Sequence, residues 1–286
     1  MNTLHNFTPG AALIRPQHPL NLDQVRAIAP SAFVGHKHES RSDKYVHIPT
    51  VNIIEGMVKA GFYPYKAMQS HTRIADKQDF TKHLIRFREA NADMVVGDTF
   101  PEIILINSHD GSSAYQLMAG FFRLACSNGL IVADSMQDAL KIPHKGNVIQ
   151  EVIDGSNRIV NGAHRSIEAI TRWSQLALTP GEQDAFAEAA RTVRFMEDGK
   201  VSTPITAAQL LAPRRIDDAL DTMRRPKPDL WHTLNVVQEN VIKGGLRGRR
   251  LGRDTRTRAI GSIDADVKLN KALWTLAGRM EELKAA

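Results

Sequence analysis

Apolar residues change their spacing along this chain near residue 134. Before that point they fall in short alternating or continuous runs of strand length. Beyond it they recur at the three-to-four-residue period of helices that bury one face. Ser31–Val34 and Lys44–Ile48 predict two strands of a hairpin, joined by the polar run His36–Asp43. Thr50 is placed as an N-cap, with Val51, Ile54 and Val58 on one helical face and Gly61 as the stop. Phe62–Ile74 alternates as a strand whose start Pro64 demotes to an edge or bulge. Thr81–Arg88 and Glu102–Asn107 complete a set of four or five strands before Gly111.

Ser113 and Gln116 then spell a capping box, and Ala114, Leu117, Met118, Phe121 and Ala125 follow at helical spacing. A long amphipathic helix is predicted there, ended at Asn128–Gly129 and followed by a strand over Leu130–Ala133. Further helices are predicted over His164–Leu176, from Thr179, from Thr206, from Asp229 to Gly244, and from Asp264 to Leu283. The first thirty residues lack sustained periodicity and suggest an extended arm. The expectation is an α+β fold, with an antiparallel sheet packed on a long amphipathic helix and a mainly helical C-terminal half. Its parts would be an arm (1–30), a core (31–150) and a helical region (151–286). The boundary is expected near 134–160, where Pro143, Gly146, Asn147 and Gly155 cluster.

Cysteine usage narrows the setting. Of 286 residues only Cys126 is a cysteine, so no internal disulfide forms, and no Cys or His cluster has zinc-ligand spacing. The start lacks the pattern of a secretory signal, and the longest apolar stretch, Leu117–Val132, is cut by Arg123, Ser127 and Asn128. A cytoplasmic protein that does not enter a membrane is expected. Lys and Arg outnumber Asp and Glu by 37 to 31, a formal charge of +6, so a polyanionic partner enters the picture.

Catalytic chemistry finds little support. Asp98, Glu102, His109 and Asp110 flank one strand, but no Glu-x-Lys follows to complete a nuclease pattern, and they suit solvated turns. His36 and His38 lack a third ligand. No Gly-rich phosphate-binding turn opens a helix, and Gly244, Gly245 and Gly248 follow one instead. Cys126, Trp173, Trp231 and Trp274 occupy core positions. No catalytic residue, metal or cofactor is therefore expected.

Charge distribution carries more. Between Lys243 and Arg258 stand seven basic side chains against the single acid Asp254, interleaved with glycine. Phosphate contacts and a solvated linker both fit that pattern, as do arginines bridging to Glu281 and Glu282. A second set, Lys66, Arg73, Lys77, Lys82, Arg86 and Arg88, lies on the strand region beside Tyr63 and Tyr65, a combination suited to single strands through backbone charge and stacking.

Several longer motifs are familiar: Ser31-Ala-Phe, His38-Glu-Ser-Arg-Ser-Asp-Lys-Tyr45, Asn107-Ser-His-Asp-Gly-Ser-Ser-Ala-Tyr-Gln116, Cys126-Ser-Asn-Gly-Leu130, Asn235-Val-Val-Gln-Glu-Asn240 and Ser262-Ile-Asp264. Over most of its length the chain resembles the domain-of-unknown-function family 932 of plasmids, prophages and integrated elements, a resemblance that implies no activity. More distantly, the order of a short helix after Tyr45-Val-His-Ile, antiparallel strands and a long helix is similar to the Red-beta, RecT and Rad-type single-strand annealing proteins. That resemblance implies rings or filaments with single-stranded DNA in an outer groove, and places Arg123 as a basic contact on the long helix. It departs at Thr50-Val51, where that superfamily carries a basic residue.

The expected function is ATP-independent binding and annealing of single-stranded DNA in recombination of a mobile element, by a homo-oligomer. The expected contacts are Lys66, Arg73, Lys82, Arg86, Arg88, Arg123, Lys243, Arg247, Arg249, Arg250 and Arg253. The alternatives are a regulatory or anti-defence protein that engages a host protein and, third, a metal-dependent nuclease.

Overall fold

The computed structural model describes residues 18–41, 47–90, 99–123, 128–131, 140–143, 147–197, 200–201, 204–214, 228–250 and 253–285. At its centre β1 (Phe62–Gln69), β2 (His83–Glu89), β3 (Thr99–Asn107) and β4 (Tyr115–Arg123) form an antiparallel meander. The far side of β4 is shared by β5 (Asn128–Ile131), along its end, and β6 (Leu140–Ile142), along its start. β1 is an edge strand, and its register shifts between Pro64 and Lys66, the irregularity that a proline lacking a ladder donor favours.

Strand alternation sends Ile85, Phe87, Ile103, Leu105 and Leu117 to one face, where they pack with α2 (Thr50–Lys59) and α3 (Val148–Gly162). The opposite face offers Leu84, Ile104, Ile106, Met118 and Ile131, which meet Ile263 of α8 (Ile263–Ala285). A third cluster joins Phe121 and Leu130 of the sheet to α4 (His164–Gln175), α5 (Pro180–Phe195), α6 (Ala207–Leu211), α7 (Leu230–Lys243) and α8. β7 (Met196–Glu197) pairs with β8 (Lys200–Val201), and β9 (Arg247–Arg250) with β10 (Arg253–Arg256). The fold is α+β, with an antiparallel sheet and a helical C-terminal half. No helix among the described residues is long and apolar enough to cross a membrane.

Local caps identify most helices. Thr179 and Glu182 close a capping box with Pro180 in the first turn of α5, Thr206 and Gln209 cap α6, and Asp229 accepts the His232 N–H at 2.7 Å to start α7. The same device starts α1 (Leu22–Ile28), where Asn21 and Gln24 exchange bonds of 2.8 and 2.9 Å, so part of the expected arm is helical.

Three expectations are corrected. Ser31–Val34 is not a strand: Pro30–Phe33 is a 3-10 turn, fastened to β1 by the Ser31 N–H on Gln69 Oε1 at 2.9 Å. Its expected partner falls largely outside the described residues, and His47 and Ile48 are not in a strand. Thr50 begins α2 rather than capping it, with its hydroxyl turned to buried partners. The segment predicted as the long helix from Ser113 is the strand β4, and Asn128–Gly129 belongs to β5. β4 is buried on both faces, so its apolar residues run continuously and imitate a helical stripe. The box residues do meet, Gln116 Nε2 donating to Ser113 Oγ at 2.8 Å, but they bond each other. Residues 148–162, for which no element is predicted from the sequence, form the helix α3. Gly155, one of the residues that suggested the boundary, faces Leu140 and Leu117, whose methyls would stand 2.5 and 2.8 Å from a Cβ there. Glycine lets the helix lie close on the sheet, so the helix packed there is α3.

Candidate nucleic-acid interface

Most of the basic residues singled out from the sequence fall into two groups, with Arg73, Arg123 and Lys243 outside both. Lys66, Lys82, Arg86 and Arg88 share the face of the sheet that meets α8, as the Lys66–Arg86 register requires. They do not form an open groove. Arg86 is 1% exposed and gives its Nε–H to Glu102, while its Nη2 donates to the Leu130 carbonyl at 3.0 Å. Arg88 donates to the other oxygen of Glu102 at 2.8 Å. Its guanidinium lies 4.1 Å from the Phe122 ring centre, 4.3 Å from Tyr65 and 5.2 Å from Phe100. One carboxylate thus serves two buried guanidiniums.

α8 completes this arrangement. Asp264 pairs with Lys82 at 2.7 Å, and Asp266 is buried within electrostatic reach of Lys66 and Arg86. Burial pushes the Asp266 carboxyl above its ordinary range and the Lys66 ammonium below its own, the opposite charges acting against both shifts. Asn270 donates to Asp266 at 3.0 Å and accepts from Gln238 of α7, so the polar chain runs from α7 to the sheet.

Arg73 is exposed in the loop after β1. Arg123 is half-buried at the end of β4, in register with Thr99 and Asn128, so the helical face assigned to it does not exist. Lys243, at the end of α7, pairs with Glu239 one turn back.

The second group is different. β9 and β10 form an antiparallel ribbon in which Arg247 faces Arg256, Arg249 faces Asp254, Gly248 faces Thr255 and Arg250 faces Arg253. Alternation puts Arg247, Arg249, Asp254 and Arg256 on one face. The other face turns to the body at Gly248, where a Cβ would stand 2.6 Å from Pro204 Cγ. Arg247, Arg249, Arg253, Arg256 and Arg258 are exposed, and the Arg250 side chain lies outside the described residues.

The ribbon is anchored at its base. Gly245 N–H donates to the Thr257 carbonyl at 2.7 Å, Thr257 N–H to Leu246 at 2.9 Å and Gln209 Nε2 to Arg247 at 2.7 Å. Arg194 donates to the Arg258 carbonyl at 3.2 Å, and Arg214 to that of Gly244. Gly244 has φ 61° and lies against the Arg258 backbone, 2.5 Å from where its Cβ would be, so only glycine fits. The acids proposed as structural partners are occupied: Glu281 binds Arg172 at 2.6 Å and Trp173 at 2.8 Å, and Glu282 binds Arg279. Nothing local in the sequence marks Arg194 and Arg214 as anchors. The alternation of Arg253, Thr255 and Thr257 with Asp254, Arg256 and Arg258 is, by contrast, a strand signal within the segment itself.

The residues of the nuclease reading do not converge. Glu102 belongs to the α8 face and His109 to the α2 face, Asp110 accepts the Ser112 N–H at 2.9 Å in a local turn, and Asp98 lies outside the described residues, as does Cys126. His36 and His38 flank the Phe80 ring at 5.2 and 5.1 Å. Among the described residues no three His, Cys, Asp or Glu side chains are placed to hold a metal ion. The buried histidines instead surround Thr50, whose hydroxyl meets His83 Nε2 at 2.8 Å, Asn107 Nδ2 at 3.0 Å and His109 Nε2 at 3.3 Å. A hydroxyl accepts two bonds and gives one, so with the Asn107 amide donating, one imidazole donates and the other accepts.

Residues 37–274 match the model of a protein family described as a domain of unknown function, DUF932. The chain belongs to this family. Among its relatives is the UPF0380 protein YfjQ of Escherichia coli strain K12, 43% identical over 278 residues that make up 97% of each chain. The UPF0380 protein YafZ of the same strain is 42% identical over 278 residues, again 97% of each. No solved structure matches. The DUF932 match spans the sheet, α2 to α7, the ribbon and the first half of α8.

Proposed function

We propose that this DUF932 protein binds nucleic acid through its phosphate backbone, with the β9–β10 ribbon as the principal contact and single-stranded DNA as the substrate. The observation that carries the reading is the ribbon itself: exposed arginines on a hairpin whose base is pinned by Arg194, Arg214, Gln209 and Gly244. A guanidinium presents a fork of donors that matches phosphate oxygens, and a fixed backbone reduces the ordering cost of binding. Contacts of this kind position a strand without reading its sequence and leave base edges open for pairing. ATP-independent annealing during recombination is the activity we propose for such binding. A plasmid or prophage setting, a cytoplasmic location and assembly into a homo-oligomer on the strand belong to the same proposal.

The test is binding of a fluorescent single-stranded oligonucleotide by wild type and by Arg247→Gln/Arg249→Gln/Arg256→Gln, with duplex as competitor. The reading expects at least tenfold weaker binding by the triple variant at an unchanged melting temperature, and duplex competing less well than unlabelled single strand. Equal binding by both proteins contradicts it.

A further inference from the structure

The sheet face beneath α8 is built like a strand-binding surface and is closed by an acidic segment. Lys66, Lys82, Arg86 and Arg88 supply four cations against the one carboxylate of Glu102, beside the aromatic rings of Tyr65, Phe100 and Phe122. Asp264 and Asp266 of α8 bring the local excess from three positive charges to one. Helix α8 reaches this face only with its first turns: Ile263 packs on Leu84, Ile104, Ile106, Met118 and Ile131, and Val267 lies at the margin. From Leu269 onward its buried apolar residues, Leu273, Trp274 and Ala277 among them, belong to the third cluster, where Trp274 stacks on Phe121 near the end of β4 and most of the other members are helical. Trp173 and Glu182 hold the distal end through Glu281 at 2.8 Å and Lys284 at 2.7 Å. The first turns and the rest of the helix thus pack in different apolar clusters. The Lys82–Asp264 pair at the outer end is the weakest tie, since Asp264 is 72% exposed and its attraction is screened by water and salt.

We propose that the basic and aromatic sheet face is a second, latent surface for single-stranded nucleic acid, and that the first turns of α8 are a built-in competitor for it. Resting on the ribbon reading, it adds a regulated step: a strand captured by the ribbon displaces Ile263–Val267 while the distal half of α8 stays docked. Backbone phosphates then replace Asp264 and Asp266 opposite Lys82 and Lys66, beside the rings on which Arg88 already lies. Cations on a closed surface contribute nothing to the salt dependence of binding until it opens.

Amide hydrogen exchange on the full chain, with and without a saturating single-stranded 30-mer, tests this. The expected result is faster exchange across 263–268, unchanged exchange across 273–285, and slower exchange in β9–β10. Unchanged or slower exchange across 263–268 at saturation overturns the proposal. Asp264→Asn, which leaves the buried contacts in place, should bind the 30-mer three- to tenfold more tightly than wild type, with its melting temperature within a few degrees. Introduced into the ribbon variant Arg247→Gln/Arg249→Gln/Arg256→Gln, it should recover part of the lost affinity. No gain in either background overturns the latent surface while leaving the ribbon reading standing. Loss of the ribbon reading is seen separately, as wild-type affinity in the ribbon variant alone.

Discussion

Arg86 lies across Gly129 so closely that a Cβ on Gly129 would collide with Nη1 of the guanidinium. Gly120, on the neighbouring strand, gives the same group its second bare patch, with Nη2 2.9 Å from a Cβ there. The two glycines are what allow a charged side chain to lie flat on a sheet and still reach Glu102 and the Leu130 carbonyl. Gly129→Ala is expected to cost about 1–3 kcal/mol, the range for overpacking a filled interior, because a guanidinium held by a carboxylate and a carbonyl has little room to yield. Urea denaturation measures it, and a neutral result would mean that Arg86 moves freely.

Glu102 is expected to be structural. Glu102→Gln leaves Arg86 and Arg88 buried without their shared carboxylate, and removing one partner of a buried ion pair costs about 3–5 kcal/mol. A variant that melts like wild type and loses only an activity would restore Glu102 to the catalytic reading.

Acid should weaken the fold before carboxylates titrate. His83 is fully buried, and burial pushes its imidazole down to about 4, against the opposing bond to the Thr81 carbonyl. An unfolded histidine titrates near 6.5, so between about pH 6.5 and 4 the unfolded chain takes up a proton that the folded chain refuses. Stability is complete above about pH 6.5 and falls as the pH drops, on the order of 3 kcal/mol by about pH 4 from this group. His47, also lowered mainly by burial, adds in the same sense. Equal urea midpoints at about pH 7.5 and about pH 5 would contradict this.

Thr50 should matter more than its size suggests. Thr50→Val keeps the shape but strips Asn107, His83 and His109 of their common partner, and each buried polar group left unsatisfied costs about 1–3 kcal/mol. A loss below about 1 kcal/mol in thermal or urea melts would show that the histidines find other partners.

Elements that carry their own signals were legible in the sequence. Asp229, Thr179 and Thr206 mark helix starts with side chains a few residues from the donors they satisfy, so no distant partner is needed. The same signal at Asn21 and Gln24 was hidden by its proline-rich surroundings. β4 was not legible, because a strand covered on both faces has the apolar density of a buried helix. Nor was α3, because the packing reason for Gly155 sits on Leu117 and Leu140, a different part of the chain. The candidate site divides along the same line. Cations were visible as composition, but what each one does depends on Glu102 and Asp264, which come from β3 and α8. The ribbon remained exposed because its strands pair with each other and present no acid but Asp254.

The salt dependence of single-strand binding, compared between wild type and Arg247→Gln/Arg249→Gln/Arg256→Gln, decides whether the ribbon holds nucleic acid. Each phosphate neutralised on a single strand contributes a slope of about −0.7 to log affinity against log salt, so removing three contacts should flatten the slope by about 2. A flattening of that size with an intact melting curve is the expected result; identical slopes in the two proteins would contradict it.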